Sequence, residues 1–548
     1  MEHTTEHDID NESQIYKKYQ NKIQNGSLEI QNNNKLQSIA FLSKLDIQKL
    51  TITYCEHIQP ILNSKTIKEL TLNYCDVENV NELNLQNLEV LNLYWNRISS
   101  IDSSMFKNLQ ELNLSQNNAK DISFLQGFYK VTKLQLQANK ISDITVLTSL
   151  NLRELDISKN PISDITSLQQ LSKLTKLNIS SCQISSLETL KSLENLEELD
   201  VSYFEGTWNY KLEKQTKLIK LSIKYVKNVN FSFLLQFPNL KELDLSGNLA
   251  IDLSIIQQMT QLTKLIMQRN QLKSISQFNQ LINLEHLDLQ DNLNIDIAPL
   301  CNMLLLKFLN LRGCSIQHLQ NLKNLKNLEE LDISENKSIN ICGLQYLTGL
   351  KILQSEYNEL KNINIIQILK YLVNLKELRL NNNEQLDITP LQYLIQLTQL
   401  ILGECKLYDV SALSPLSNLE YLDISGNTII SVAPLKEMKH LTELYLDNNI
   451  LSDFSELYNH QYFDQFEMDN QNEPSAEDLS LSNKINSITD IITLLREVKY
   501  KRTTLKTKIT LCKHKNNQVQ QNSTMCIFSF TKNIAMLFKA LNDQETQQ

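Results

Sequence analysis

The sequence predicts an α/β solenoid: a parallel sheet of short strands, short 3-10 and irregular return segments, and a helical tail beyond them. Two observations carry this expectation. A nine-residue pattern, L-x-x-L-x-L-x-x-N, returns about every 22 residues, as in Leu152, Leu155, Ile157, Asn160 and again in Leu240, Leu243, Leu245, Asn248. Its ninth slot falls at 33, 55, 75, 96, 117, 139, 160, 182, 204, 226, 248, 270, 292, 314, 336, 358, 383, 405, 427, 449 and 471, which makes 21 rungs. A fixed period of this size means that each copy is one strand plus a return, and that only stacking completes a core. The second observation is that the pattern ceases after Pro474, where helical spacing takes over. Over 548 residues an ordinary globular chain divides into several domains, whereas a solenoid extends along one direction as a single unit.

The first element of each rung is the strand. Alternation in the rung ending at Asn160 turns Leu155 and Ile157 inward and places Glu154, Asp156 and Ser158 on the exposed face. Next comes the ninth slot, where an Asn amide suits the sharp turn leaving the strand, because it can satisfy backbone groups that no sheet neighbour reaches. Besides Asn33 it is Asn96, Asn117, Asn139, Asn160, Asn248, Asn270, Asn292, Asn336, Asn358, Asn383, Asn427 and Asn449. The return follows, often I-S-D-I-x-x-L as in Ile141 to Leu147 and Ile162 to Leu168, with Ser and Asp suited to opening a short turn. It is too short for a long helix, so 3-10 turns and coil are expected.

One rung buries about six apolar side chains at roughly 1.5 to 3 kcal/mol each. Ordering its backbone costs on the order of 1 to 2 kcal/mol per residue. A single rung therefore cannot stand alone, and the two ends need caps. Leu28 and Ile30 supply half a rung at the front, while Phe463, Phe466 and Met468 occupy the leucine slots of the last, with Gln471 in the ninth. The expected organisation is a polar, partly helical segment over 1–26, a solenoid over 27–474 with a three-residue insertion between Asn358 and Asn383, and a tail over 475–548. In the tail, Leu481 to Val498 and Ile527 to Leu541 have helical spacing. The run Lys499 to Lys515, with seven Lys/Arg and no acid, reads as a basic linker between them.

Charge is uneven. Of 53 Lys/Arg and 62 Asp/Glu, 11 and 7 follow residue 471, so the repeat body is acidic and disfavours a nucleic-acid or membrane partner there. No basic stretch followed by an apolar core opens the sequence, and no apolar run reaches the roughly 18 residues of a membrane span. Five of nine cysteines, Cys55, Cys75, Cys182, Cys314 and Cys405, occupy ninth slots and read as small buried residues, which favours a reducing, cytoplasmic location with the nucleus as alternative.

Two exposed patterns are candidate docking features. In the third slot, Glu111, Lys133, Glu154, Lys176, Glu198, Lys220, Glu242 and Lys264 alternate, while Asp156, Asp200, Asp244, Asp288 and Asp332 recur in the fifth at 44-residue intervals. This reads as an ion-pair ladder that sets register, or as a surface for a basic partner through Asp156, Asp200 and Asp244. Aromatics collect at Tyr54, Tyr74, Tyr94 and Trp95, and at Tyr203, Trp208, Tyr210 and Tyr225, where Phe204 and Val226 replace the ninth-slot Asn. They serve either as interface anchors or as filling for defective rungs.

Catalytic signals are missing. The sequence has no phosphate-binding G-x-x-x-x-G-K-[ST], no H-E-x-x-H, no paired C-x-x-C and no G-x-S-x-G. His3 and His7 bracket Glu6 near the N-terminus without further ligands, and neither Cys512 nor Cys526 has a base that spacing places beside it. No enzyme activity, metal or cofactor is expected.

The form L-x-x-L-x-x-L-x-L-x-x-N-x-I-x-x-I, followed closely from Leu416 to Val432 and from Leu171 to Leu187, resembles the 22-residue subclass of leucine-rich repeats. This subclass occurs in a regulatory subunit of protein phosphatase 1 and in the internalins. The resemblance implies a horseshoe whose concave sheet binds a protein partner. It makes an intracellular interaction scaffold the expected function, with regulation of a Ser/Thr phosphatase as the alternative. A third expectation, from the basic tail, is anchoring to nucleic acid or membrane.

Overall fold

The structure is a computed structural model that describes residues 19–31, 38–55, 58–206, 215–227, 229–249, 251–360, 368–384 and 386–451, and the backbone of 465–473 and 501–512. The chain forms two compact units, Met1–Ile266 and Met267–Gln548. The repeat interval runs through this division unchanged, so the sequence carries no sign of it.

In the first unit, β1 (Ser27–Gln31), β2 (Lys49–Thr53) and β4 (Glu69–Asn73) are five-residue strands. Three-residue strands follow: β6 (Val90–Asn92), β7 (Glu111–Asn113), β8 (Lys133–Gln135), β9 (Glu154–Asp156), β10 (Lys176–Asn178), β11 (Glu198–Asp200), β12 (Lys220–Ser222), β13 (Glu242–Asp244) and β14 (Lys264–Ile266). Each pairs in parallel with the strand of the next rung. Leucine meets leucine throughout, as at Leu155, Leu177 and Leu199. On the return side β3 (Leu62–Asn63) and β5 (Leu83–Asn84) make a small parallel pair. In the second unit β15 (His286–Asp288), β16 (Phe308–Asn310), β17 (Glu330–Asp332), β18 (Ile352–Gln354), β19 (Glu377–Arg379), β20 (Gln399–Ile401), β21 (Tyr421–Asp423) and β22 (Glu443–Tyr445) repeat the arrangement.

The core is what the pattern dictates. In the rung of Asn160, the side chains of Leu152, Leu155, Ile157, Ile162, Ile165 and Leu168 are all buried. The described returns are mostly 3-10 turns such as Thr145–Ser149 and Thr166–Gln170, and Leu253–Gln257 is a short helix, α1. Asp143 and Asp164 open two of these turns by accepting the N–H of Thr145 and of Thr166, each at 2.8 Å. Those bonds hold both carboxyls below the usual range. At the front, Tyr19 is buried against Phe41 with ring centroids 5.5 Å apart, so the end of the N-terminal segment helps to cover the first rung.

The back end differs from expectation in one respect. β23 (Gln465–Glu473) adds in parallel to β22 with Phe466 opposite Leu444, the register of a final rung. The basic run expected as a linker instead forms β24 (Lys501–Cys512), antiparallel to β23, with Lys508 opposite Asp469 and Lys501 opposite Glu473. Threonine and Ile509 alternate with Lys there, a strand pattern that lysine content obscures. The two tail helices expected from spacing, residues 361–367 of the stretch that carries the three-residue insertion, and Asn33, Trp208, Tyr210, His3 and His7 lie outside the described residues.

Candidate functional site

The ninth slot is the frame on which everything exposed is hung. Asn160 donates from Nδ2 to the carbonyls of Leu136 at 2.9 Å and Ile157 at 3.0 Å, and its Oδ1 accepts the N–H of Asn139 at 3.2 Å and of Ile141 at 3.1 Å. One buried amide thus ties two rungs through backbone groups that the sheet leaves unpaired. Asn117, Asn292, Asn336 and Asn427 do the same, and all twelve slot asparagines from Asn96 to Asn449 named above are buried. Where cysteine replaces Asn, the thiol donates to the preceding rung, from Cys182 to Ile157 at 3.3 Å and from Cys314 to Leu289 at 3.1 Å. Burial pushes these thiols up, Cys182 to about 11 and Cys314 to about 12.

From β7 to β12 the third slot forms an ion-pair ladder. Lys133 lies 3.1 Å from Glu111 and 4.0 Å from Glu154, Lys176 lies 3.9 Å from Glu154 and 2.8 Å from Glu198, and Lys220 lies 3.9 Å from Glu198. All these side chains are at least a third exposed, so each pair contributes no more than about 1 kcal/mol.

Fifth-slot aspartates have a task that their charge concealed. Asp156 Oδ1 accepts the N–H of Ser158 at 2.9 Å and its hydroxyl at 2.6 Å, while Oδ2 takes the amide of Asn178 at 3.0 Å. Asp200 accepts Ser202 N–H at 2.8 Å, and Asp244 accepts Ser246 N–H at 3.0 Å with Lys224 3.7 Å away. Each closes an Asx turn at the end of its strand, so one oxygen is committed to the fold. Asn92 and Asn113 close the same turn in earlier rungs.

The eighth slot holds the feature that sequence reasoning missed. In every described rung from Tyr54 to Asn448 its φ is positive, for example 56° at Tyr54 and Tyr74, 55° at Trp95, 60° at Tyr203, 51° at Tyr225 and 55° at Tyr357. A residue with a Cβ pays about 1 to 2 kcal/mol in this left-handed region, and bulky residues are true outliers there. The signal was available: Gly247, Gly313, Asn382, Gly426 and Asn448 share this slot and are the residues that adopt it most readily. Gly247 is needed for another reason, since a Cβ there would lie 2.3 Å from the ring of Tyr225.

These left-handed turns lift the aromatic side chains out along the C-terminal ends of the strands. Tyr54 stacks on Tyr74 with centroids 4.6 Å apart, Tyr74 stacks on Trp95 at 5.4 Å, and Tyr94 meets Tyr74 edge-on at 5.4 Å. Tyr203 and Tyr225 form a second stack at 5.1 Å. Tyr54, Trp95 and Tyr203 remain 51, 50 and 48 % exposed. Phe204 and Val226 are buried as filling, while of their eighth-slot neighbours Tyr203 is exposed and Tyr225 is half-buried. Among the described residues no group of three His, Cys, Asp or Glu is placed to hold a metal ion.

In each unit the parallel strands, the buried Asn ladder and the exposed face above it define a repeat solenoid whose sheet is open to solvent. Family models for leucine-rich repeats match residues 86–141, and as two-copy units 150–192 and 417–459. The chain is a leucine-rich repeat protein. No curated protein matches its sequence. Among solved structures, the TLR13–ssRNA13 complex aligns at 21% identity and a TM-score of 0.59, over 81% of this chain and 73% of that one. The mouse RP105/MD-1 complex aligns at 22% and 0.56, over 79% and 84%. An internalin from Listeria monocytogenes aligns at 21% and 0.43, over 62% and 88%. The first two share the fold.

Proposed function

We propose that this protein is a non-catalytic scaffold that holds a partner protein against the solvent-facing side of its sheet. The observation that carries the reading is the run Tyr54, Tyr74, Trp95, three stacked aromatics in left-handed turns, of which Tyr54 and Trp95 are left half in water. The left-handed turn is shared by every described rung, so what marks these three is the large aromatic that stands where Gly or Asn would sit with least strain, and Tyr and Trp are among the residues that most often dominate binding energy. The small buried cysteines in ninth slots, among them Cys75, Cys182, Cys314 and Cys405, support a reducing, intracellular setting. Partner capture by the full chain is the test, against variants Tyr74→Ala, Trp95→Ala and Tyr225→Ala. Recovery should fall with the first two at least, and recovery unchanged by all three sinks the proposal. Regulation of a Ser/Thr phosphatase is a narrower form of the same reading, checked by adding the full chain to a phosphatase catalytic subunit and following its activity.

A further inference from the structure

The turns that lead into β18, β19 and β20 carry an apolar strip. Tyr346, Tyr371 and Tyr393 stand four residues before the first leucine of their rungs and Val373 and Ile395 two residues before it, and all five are 43 to 56 % exposed. They form rows because the turns are tied in register: Asn374 donates from Nδ2 to the carbonyl of Thr348 at 2.8 Å, and Asn418 to that of Ile395 at 2.9 Å. Stretches of the corresponding rows in the first unit are polar, with Thr148, Gln170 and Ser192 in one and Ser172, Glu194 and Thr216 in the other. Apolar side chains held side by side in water on three rungs mark a contact surface.

The course of the chain singles out the occupant. The strands from β15 to β23 run parallel, so each begins at the edge where the strip lies. β24 runs the other way, with Lys501 opposite Glu473 and Cys512 opposite Gln465, and returns the chain to that starting edge. Residues 481–498 connect Glu473 to Lys501 and so belong to the finishing edge, whereas the residues after Cys512 leave from the edge of the strip. Four strand spacings of about 4.8 Å separate β24 from β20, about 19 Å in all. The 14 residues 513–526 can span up to about 46 Å. Beyond them Ile527, Phe530, Ile534, Leu537, Phe538 and Leu541 have helical spacing, and at about 100° per residue Lys532 and Lys539 fall on the opposite side. A helix of these 15 residues is about 22 Å long and crosses all three turns. We propose that the segment 527–541 of this chain docks as an amphipathic helix along the turns preceding β18, β19 and β20, with its apolar side on Tyr346, Tyr371, Val373, Tyr393 and Ile395. The contact uses none of the residues on which the docking reading above rests.

The test is cross-linking of the full chain with a short lysine-reactive reagent, read by mass spectrometry on an equal mixture of isotope-labelled and unlabelled protein. Lys370, whose ammonium lies 5.2 Å from the Tyr371 ring centroid, and Lys326, 5.3 Å from that of Tyr346, should link to Lys532 and Lys539 within single chains. Phe538→Asp and Ile395→Asp should each lower the yield of these links about fivefold or more, because each sets an unpaired carboxylate into the apolar contact. Tyr129→Asp, at an exposed position of the corresponding row in the first unit, should leave the yield unchanged. Phe538 lies outside the rungs, so a loss of links in Phe538→Asp does not arise from an unfolded solenoid. Absence of these links, a yield indifferent to both variants, or links that join labelled to unlabelled chains, which would give the strip to a second copy, overturns the inference.

Discussion

Replacing Asn160 by Ala removes a side chain that is 2 % exposed and serves five backbone groups, yet the five do not suffer equally. The carbonyl of Ser158 keeps the N–H of Ala138 at 2.9 Å. The carbonyl of Leu136 keeps the amide of Asn139 at 3.0 Å, and that of Ile157 keeps the thiol of Cys182 at 3.3 Å. The N–H groups of Asn139 and Ile141 have Asn160 Oδ1 as their acceptor, so both are orphaned in the interior. At about 1 to 3 kcal/mol for each unsatisfied buried donor, the loss is about 2 to 6 kcal/mol. Because a solenoid couples only neighbouring rungs, this should appear as local opening and not as a uniform shift of one midpoint. Native-state hydrogen exchange reads it directly: the Asn139 and Ile141 amides should lose protection first, with the strands β8 and β9 following. Asn160→Cys should cost less, since a sulfur in this slot still meets the N–H of the preceding rung's slot residue, as Cys314 does that of Asn292, and so leaves one donor fewer without an acceptor. Exchange at those two amides that is unchanged in Asn160→Ala, with a loss under about 1 kcal/mol, refutes the accounting.

Two further outcomes follow from the turn and the thiols. At the eighth slot, Lys159 has φ 55°, so Lys159→Val should be about 1 to 2 kcal/mol less stable than Lys159→Gly by urea denaturation; equal midpoints would contradict a left-handed requirement there. The buried thiols at Cys75, Cys182, Cys314 and Cys405 sit at about 11 to 12, above the roughly 8.5 of a thiol in unfolded chain, so the folded state holds these protons more tightly. Their contribution to stability is complete below about pH 8.5 and is lost as pH rises through 11 to 12, which urea midpoints against pH will follow. Slot cysteines alkylated in the native protein as fast as the half-buried Cys301 and Cys342 would count against it.

What could be read from the sequence was whatever the core enforces. Leucine in slots one, four and six and Asn in slot nine are buried and satisfied in one way only, so their spacing gives away rungs, register and the ion-pair ladder before any coordinates. The exposed slots are freer, and there the reading weakened. Asp156 and Asp200 looked like available charge because an Asx turn needs only one of two carboxylate oxygens, and nothing in the residue type tells which is spent. The left-handed eighth slot escaped notice because Tyr, Trp, Lys, Gln and Ala occupy it as well as Gly and Asn, their strain being offset by stacking or by the rung as a whole. The strand Lys501–Cys512 was masked by its lysines.

The alternating third slots from Glu111 to Lys264 impose a parity rule on how this part of the chain can change length. Each rung packs only on its two neighbours, so removing or duplicating one, that of β9 for example, is sterically tolerable, but it sets Lys beside Lys or Glu beside Glu at about 4.8 Å strand spacing and leaves a repulsive seam. Removing or duplicating two leaves every contact of unlike sign intact. The heritable module in this stretch is therefore a pair of rungs, and insertions or deletions here should come in multiples of 44 residues.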